Sequence, residues 1–371
     1  MKSTNGENMD KITRRSFIKK TVAAGVGIAT FPTIFIPKAK AHWAPKTTVH
    51  PNVSNLRVVG ITDPKMTMSA EQIPQTWADQ EKLVNKKAVW EDIDKMACGL
   101  ADTRNPSEAW RTIFIKPPLK SWSDTVVAIK TNCIFVQHTR SAVMAKVCHI
   151  LTDILGVKPS HIHIYDARHG HSMVGTPFRG LPEGVRIEGG WNGITVATPV
   201  PPPWKGGKAE CMEQLTAGFV DILINISMCK GHDPQFGNFT MTMKNHFGTF
   251  NPAPAHRSVN VSTDYLMAIN QTPEILGKMD DKTGKILYPR QQLCLVDALW
   301  ASETGPSWGP THQPNFLAMG VFSPAVDYLV ATQFRGKKMG WEPIKEVTRR
   351  MLSDFGYSES DLPAGGKMIE A

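Results

Sequence analysis

The sequence predicts an α/β fold, with a mostly parallel central sheet flanked by helices in a single elaborated domain. Two of the observations behind this prediction are patterns. Continuous apolar segments typical of buried parallel strands recur along the chain, and amphipathic helical segments alternate with them. The third is composition, since 371 residues that are 41% hydrophobic and 20% charged are ordinary for a globular protein.

The predicted strands are uninterrupted apolar segments, and most are followed by a polar residue or a glycine. In chain order they are Thr125–Lys130, Ile162–Asp166, Ile194–Val200, Asp221–Met228, Gln292–Asp297 and Phe316–Phe322. We count the strand at Ile194 apart, because it lies in a region rich in Gly, Pro and Trp. Thr125–Lys130 is called the first buried strand below, and Ile162–Asp166 the second.

The predicted helices carry apolar residues at spacings of three and four. Met144, Val147 and Leu151 form such a stripe, which Gly156 ends. By the same criterion we expect helices at Ser141–Leu155, Ala209–Ala217, Ser262–Leu276, Ala325–Phe334 and Pro343–Phe355, and helical spacing from Trp77 to Leu100. Residues 42–123 are thus expected to be a lead-in with helices, and residues 124–371 the α/β domain.

The N-terminus has the pattern of a twin-arginine export signal. Arg14 and Arg15 precede an apolar segment from Thr21 to Ile36, and Ala39 and Ala41 then form a small-x-small cleavage site. We expect the twin-arginine translocase as a partner during export, cleavage after Ala41 and a periplasmic location. The alternative is an uncleaved anchor, although the apolar segment is shorter than the roughly 20 residues that a span needs. No later segment is apolar over such a length, so no stable membrane span is expected after cleavage.

Most of the net charge of +9 belongs to this N-terminal segment. Residues 1–41 hold eight Lys/Arg and two Asp/Glu, whereas the remaining residues hold 34 and 31. The body of the chain is therefore nearly neutral, which argues against a nucleic-acid partner. The chain contains neither G-x-G-x-x-G nor G-x-x-x-x-G-K-[ST], so the fingerprints of dinucleotide and P-loop sites are missing.

Polar residues gather where the predicted strands end. In open α/β sheets, ligands bind beyond the carboxyl ends of the strands, so these residues predict a crevice. Lysines held against apolar segments there could bind a carboxylate or phosphate, or one with a lowered pKa could act as a base or nucleophile. The candidate catalytic residues are Lys130, Lys230, His232 and Lys244, and the candidate substrate-binding residues are Asn132, Asn245, Asp297 and Asp327.

Two alternatives to this prediction stay open at the level of sequence. Each lysine could instead pair with a structural acid such as Asp297 or Asp327. Alternatively, the same region could bind a metal ion. The candidate ligands are Cys229, His232 and His246, with His169 and His171 as a further pair. A disulfide or soft-metal site at Cys133 and Cys229 is also conceivable. None of the six cysteines forms a C-x-x-C pair, so a ferredoxin-type iron–sulfur motif is missing.

Several of these segments resemble the domain-of-unknown-function-362 family. The matching pieces are VAIKTN at 127–132, INISMCKGH at 224–232, TMTMKNHFG at 240–248 and SPAVD at 323–327. The resemblance covers about residues 124–334 and implies that Lys130, Asn132, Lys230, His232, Lys244 and Asn245 form one site. Members commonly carry twin-arginine signals, but the family has no general activity, and Ser323-Pro324 lacks the acidic residue expected nearby.

Three functions are compatible with these observations, and the sequence assigns no reaction class. The first is an exported enzyme that acts on a small anionic ligand, with His232 as general acid or base near neutral pH. The second is a metal-binding or redox-associated periplasmic accessory protein. The third is a binding or assembly factor without turnover.

Overall fold

The computed structural model describes residues 43–134, 136–167, 178–256, 259–363 and 368–371, without the side chains of residues 259 and 260. The predicted signal residues Arg14, Arg15, Ala39 and Ala41, and the pair His169 and His171, lie outside the described residues. The described strands are, in chain order, β1 (Val58–Thr62), β2 (Val127–Lys130), β3 (Cys133–Ile134), β4 (Gln137–His138), β5 (Ile162–Tyr165), β6 (Arg186–Gly189), β7 (Thr195–Pro199), β8 (Lys208–Met212), β9 (Ile222–Met228), β10 (Lys230–Gly231), β11 (Phe239–Thr240), β12 (Gly277–Met279), β13 (Ile286–Pro289), β14 (Gln291–Ala298), β15 (Phe316–Gly320) and β16 (Ile369–Glu370).

The central sheet has the strand order β16-β1-β15-β14-β9-β2-β5-β6. The pairs β14–β9, β9–β2, β2–β5 and β5–β6 are parallel, as is β1–β16. Strand β15 is antiparallel to both of its neighbours, β14 and β1. Short hairpins β3–β4, β7–β8, β10–β11 and β12–β13 lie outside this sheet. The sheet is thus mostly parallel, as the sequence predicts.

The described α-helices lie on both sides of that sheet. They are α1 (Trp77–Leu83), α2 (Lys86–Ala101), α3 (Pro106–Ile113), α4 (Ser141–His149), α5 (Glu213–Thr216), α6 (Thr242–Asn245), α7 (Val259–Ile269), α8 (Pro273–Leu276), α9 (Ser323–Leu329) and α10 (Lys345–Ser353). Two of them continue as π-helix, α4 through Ile150–Ile154 and α9 through Val330–Lys338. Short 3₁₀ turns lie at Pro64–Met66, Trp122–Asp124, Pro159–His161, Pro234–Phe236, His246–Gly248, Ala253–His256 and Glu359–Asp361.

The alternation of side chains along the strands produces two apolar layers, one on each face of the sheet. Val127 and Ile129 face the layer that holds α2, α3 and α4. Ala128 faces the layer that holds α7, α9 and α10. Helices therefore cover both faces, which confirms the predicted α/β class. Because side chains alternate, Lys130 projects to the same face as Ala128, beneath the segment that contains α6.

Three segments differ from the sequence prediction. The helix expected at Ser262–Leu276 is divided into α7 and α8 at residues 270–272, and Pro273 begins the second of them. The predicted helix at Ala209–Ala217 is strand β8 followed by the single turn of α5, because residues 208–212 pair in register with β7. The predicted helical segment from Trp77 is divided at Val84 and Asn85. There Val84 forms an isolated bridge with Thr67, and the Asn85 side chain accepts from Ala88 N to begin a new helix.

The predicted lead-in also contributes to the main sheet, since β1 pairs with β15 and β16. Lys38–Ala371 form one compact unit. All six cysteines are free, five of them buried and Cys98 half-buried. Within the described ranges, no helix is both long enough and apolar enough to cross a membrane.

Candidate functional site

Lys130, at the end of β2, is buried and fully hydrogen-bonded. Its Nζ donates to Thr131 O at 2.6 Å, Asp166 Oδ1 at 2.7 Å and Asn245 Oδ1 at 3.0 Å. The other carboxylate oxygen, Asp166 Oδ2, accepts from Cys133 N at 2.9 Å. These contacts use all three N–H groups of the ammonium. Lys130 is therefore neutralised inside the protein, and its partner is Asp166 rather than Asp297 or Asp327.

Gly248 lies directly over the Lys130 side chain. A Cβ atom at this position would lie 2.0 Å from Asp166 O and 2.4 Å from Lys130 Cε. No side chain fits in that space, so glycine is required for the backbone after α6 to approach the Lys130–Asp166 ion pair.

Lys230, in β10, is also buried but has fewer acceptors. Its Nζ donates to Asn132 Oδ1 at 2.8 Å, and no other acceptor for it occurs among the described residues. Burial is the main cause that lowers the pKa of Lys230 to about 8, with Asp166 opposing the shift and the charge of Lys130 supporting it. The ammonium thus keeps two N–H groups without a described acceptor.

Asn132 orients its side chain through this bond. Its Oδ1 accepts from Lys230, so its Nδ2 carries the two N–H groups, and the described part of the chain offers them no acceptor. The Asn132 amide is therefore a donor beside the Lys230 ammonium.

Lys244, on α6, is partly buried and lies over two aromatic rings. Its Nζ is 4.8 Å from the ring centroid of Phe236 and 4.6 Å from that of Phe247. It makes no hydrogen bond or ion pair with any residue that the structure describes. Burial, together with the charge of Lys230, lowers the pKa of Lys244 to about 7, and Asp233 opposes this shift.

His232 packs edge-on against the same Phe236 ring, with ring centroids 4.8 Å apart. Its Nδ1 accepts from Asp233 N at 2.7 Å, which assigns the proton to Nε2. Burial lowers the pKa of His232 to about 2, and the charge of Lys244 adds to this effect. The ring is therefore neutral near pH 7 and offers an N–H donor. Its buried environment does not fit the expected role of His232 in exchanging protons near neutral pH.

Other predicted site residues hold the surrounding structure. Asp327 accepts from Thr242 N at 2.8 Å and Met243 N at 2.9 Å, and so caps the start of α6. Asp297 accepts from Arg140 N at 2.8 Å and Leu299 N at 3.2 Å. Both carboxylates are buried and occupied by backbone N–H groups. The expected direct contact of Asp297 and Asp327 with substrate is therefore replaced by a structural role.

Asn245 and His246 belong to a buried hydrogen-bond network beneath α6. Asn245 accepts from Lys130 and donates to Asn225 Oδ1 at 2.8 Å. His246 Nε2 lies 2.7 Å from Gln291 Oε1, and Asn225 Nδ2 also contacts that nitrogen at 3.0 Å. Asn245 is thus a positioning residue rather than an open ligand contact.

The candidate metal ligands are directed to different partners. Cys229 Sγ is buried 3.7 Å from the Arg335 guanidinium, His246 lies in the network just described and His232 faces Asp233. No group of three His, Cys, Asp or Glu side chains in the described ranges could hold a metal ion. The structure thus does not bring Cys229, His232 and His246 together, because each is held by its own neighbours. Cys133 and Cys229 are likewise not joined in a disulfide.

A loop at residues 302–311 covers one side of Lys230. A Cβ atom on Gly231 would lie 2.1 Å from Glu303 O, so the loop contacts the backbone of β10 directly. Buried Arg335 fixes this loop by donating to Ser302 O at 3.0 Å and Glu303 O at 3.2 Å. These hydrogen bonds hold the start of the loop against β10.

Sequence reasoning missed three residues of the site. Asp166 ends the second buried strand, and that position could have signalled its pairing with Lys130. Phe247, three residues after Lys244, could have been found from helical spacing, whereas Phe236 carries no such signal, because only the fold brings it to Lys244 across β11.

The open groups of the site are all donors. Lys230, Lys244, Asn132 and His232 present N–H groups, and no carboxylate among the described residues pairs with either lysine. N–H donors without acceptors, placed beyond the carboxyl ends of the parallel strands, provide the chemistry that binds an anion. No family model, curated protein or solved structure matches the chain in comparisons with known proteins.

Proposed function

We propose that the chain is an enzyme that acts on a small anionic substrate bound between Lys230, Lys244, Asn132 and His232. The observation that carries the proposal is the surplus of donors at this site. Lys130 has a carboxylate partner at 2.7 Å, whereas neither Lys230 nor Lys244 has one among the described residues. An unpaired buried ammonium is costly, and a bound anion would remove that cost.

Each residue has a distinct part in this proposal. Lys230 and the Asn132 amide hold the anionic group, as their 2.8 Å contact keeps both donors together. Neutral His232 donates its Nε2–H to an oxygen of the substrate. Lys244, whose pKa is lowered further than that of Lys230, is the group that supplies reactivity near neutral pH.

We further propose that the chain is a member of the domain-of-unknown-function-362 family that reaches the periplasm through the twin-arginine pathway. The motifs quoted above and the Arg14-Arg15 pair support this proposal. Substituting both arginines by lysine in the full chain should trap the protein in the cytoplasm, and unchanged periplasmic accumulation would contradict it.

The site is tested with a mixture of small carboxylates and phosphate esters. We expect ¹H NMR to show binding and conversion of at least one compound by the wild-type chain, and loss of both in Lys230→Met. Lys278→Met is the matched control, since Lys278 is exposed on β12 and makes no described ion pair. Affinity should fall as pH rises through about 8, because Lys230 then loses its charge.

The outcomes separate the candidate functions. Binding without conversion would overturn the enzyme proposal in favour of a binding or assembly factor. Equal binding by wild type and Lys230→Met would show that the anion site lies elsewhere.

A further inference from the structure

We propose that Lys244 is a nucleophilic amine that forms an imine with the carbonyl group of an oxo acid. This inference rests on the proposed function, because it names the substrate class of the same site. It adds a covalent step to the proposed binding of an anion.

The surroundings of Lys244 disfavour an ammonium ion. None of its three N–H groups has an acceptor among the described residues. Each hydrogen bond that a partly buried ammonium lacks raises the free energy of the charged form. The charged groups that act on it are Lys230, Asp233 and Lys130, in order of decreasing effect, so two cations oppose one acid. His232 and His256 face the same aromatic rings, and burial lowers the pKa of both.

Before the reaction, the two phenylalanine rings favour the ammonium form of Lys244. After the reaction, they stabilise the protonated imine. Their faces attract a cation at Nζ, which partly offsets the loss of solvent. An imine nitrogen becomes a cation when protonated and has fewer N–H groups to satisfy. The cage of Phe236 and Phe247 therefore suits a protonated imine better than an ammonium ion.

The neighbouring groups match the rest of an oxo acid. Lys230 and Asn132 present donors for the carboxylate. His232 is held neutral by the Asp233 N–H, so its Nε2–H can donate to the carbonyl oxygen and polarise the C=O bond. A carboxylate anchor, a carbonyl donor and an amine thus lie in one site.

The step needs no oxidant or reductant. The lone pair of Nζ attacks the carbonyl carbon, and a C–N bond forms as the C=O π electrons move to oxygen. A proton passes from nitrogen to that oxygen to give a carbinolamine. The hydroxyl group takes a second proton from solvent, the C–O bond breaks and water leaves, so that the amine, the carbonyl group and one proton become a protonated imine and water.

The test uses the full-length chain, pyruvate as the probe and borohydride to reduce any imine to a stable amine. Peptide mapping by mass spectrometry should place the adduct on Lys244 at least about tenfold above the average of the other lysines, since desolvation keeps Lys244 more nucleophilic than exposed lysines. Lys244→Arg, which keeps a positive charge, should lose this adduct, and Lys278→Arg should keep it. Propionate, which has the carboxylate but no reactive carbonyl, should compete.

Modification spread evenly over the lysines would overturn the proposal, as would an unchanged adduct yield in Lys244→Arg. Peptide mapping of the wild-type chain decides the matter even if the variant fails to fold. Binding of both pyruvate and propionate without an adduct would overturn imine formation and leave the proposed anion site standing. Failure of both acids to bind would overturn this inference, while phosphate esters would still test the anion site.

Discussion

At the scale of single residues, the three lysines of the site differ in the acceptors around their Nζ atoms. Lys130 has three acceptors, Lys230 has one and Lys244 has none among the described residues. Burial is similar for Lys130 and Lys230, so the acceptors, rather than the burial, separate a structural lysine from one that is open to a ligand. The same substitution is therefore expected to have different effects at the three lysines.

Lys130→Met should lower the free energy of unfolding by about 3–5 kcal/mol, because it leaves the buried Asp166 carboxylate without its cation. The double variant Lys130→Met/Asp166→Asn should lose less than the sum of the single variants in urea unfolding. The control is Lys82→Met, whose ion pair with Asp79 is exposed on both sides and should contribute little to the free energy of unfolding. Equal losses at both lysines would contradict the structural role of Lys130.

The sequence predicts part of the site at this scale. Lys230, Asn132 and Lys244 were identifiable because they follow buried strands or lie in a polar turn beside them. The sequence could not tell which acid pairs with which lysine, since that depends on the register between β2 and β5. It also could not show that the pKa of His232 is lowered, since that requires knowing how deeply the ring is buried.

At the scale of secondary structure, α6 is a single turn that depends on its cap. Such a short helix is not stable alone, so tertiary contacts must hold it in place. Asp327, on α9, binds its first two backbone N–H groups. The orientation of Lys244 therefore depends on a carboxylate from a different element.

This cap should give the protein a measurable pH dependence. Burial raises the pKa of Asp327 from 3.8 to about 7. The folded chain then keeps a proton that the unfolded chain loses, so the contribution to stability is present below pH 3.8 and is lost as pH rises to about 7. Relative to wild type, Asp327→Asn should gain unfolding free energy over that range, by on the order of a few kcal/mol. A difference that stays flat with pH would contradict this assignment.

The predicted strands and helices were correct where the apolar pattern of the sequence agreed with the burial of the segment in the fold. The segment ILINISM is buried at all seven positions and forms β9, as expected of a central parallel strand. The segment KAECM carries helix-forming residues, yet it forms β8, because it pairs with β7 across the loop at residues 200–207. Pairing partners of this kind cannot be found from local preference alone.

At the scale of the whole molecule, the N-terminal part belongs to the main fold. Strand β1 lies between β15 and β16, and the buried residues Val89, Ile93 and Met96 of α2 pack in the same apolar layer as β2. The boundary expected near residue 124 therefore does not separate two independent units.

Two truncations test this integration. A chain that starts at His42 should unfold in one cooperative transition with the midpoint of the full chain, since Lys38–Ala371 form one compact unit. A chain that starts at Asp124 should lack fixed tertiary structure by near-ultraviolet circular dichroism and should bind a hydrophobic dye, because its sheet loses β1 and one face loses α2 and α3. Cooperative unfolding of the shorter chain would instead define an independent domain.

The five buried thiols make local opening of this fold measurable. A thiol-specific reagent needs the sulfur at the surface as a thiolate, and burial raises the pKa of Cys133, Cys148 and Cys294 in the native state. Each cysteine will thus be alkylated only when its own strand or helix opens, while half-buried Cys98 reacts first and gives the reference rate. The order of alkylation along the chain then ranks the strands and helices by the free energy of opening.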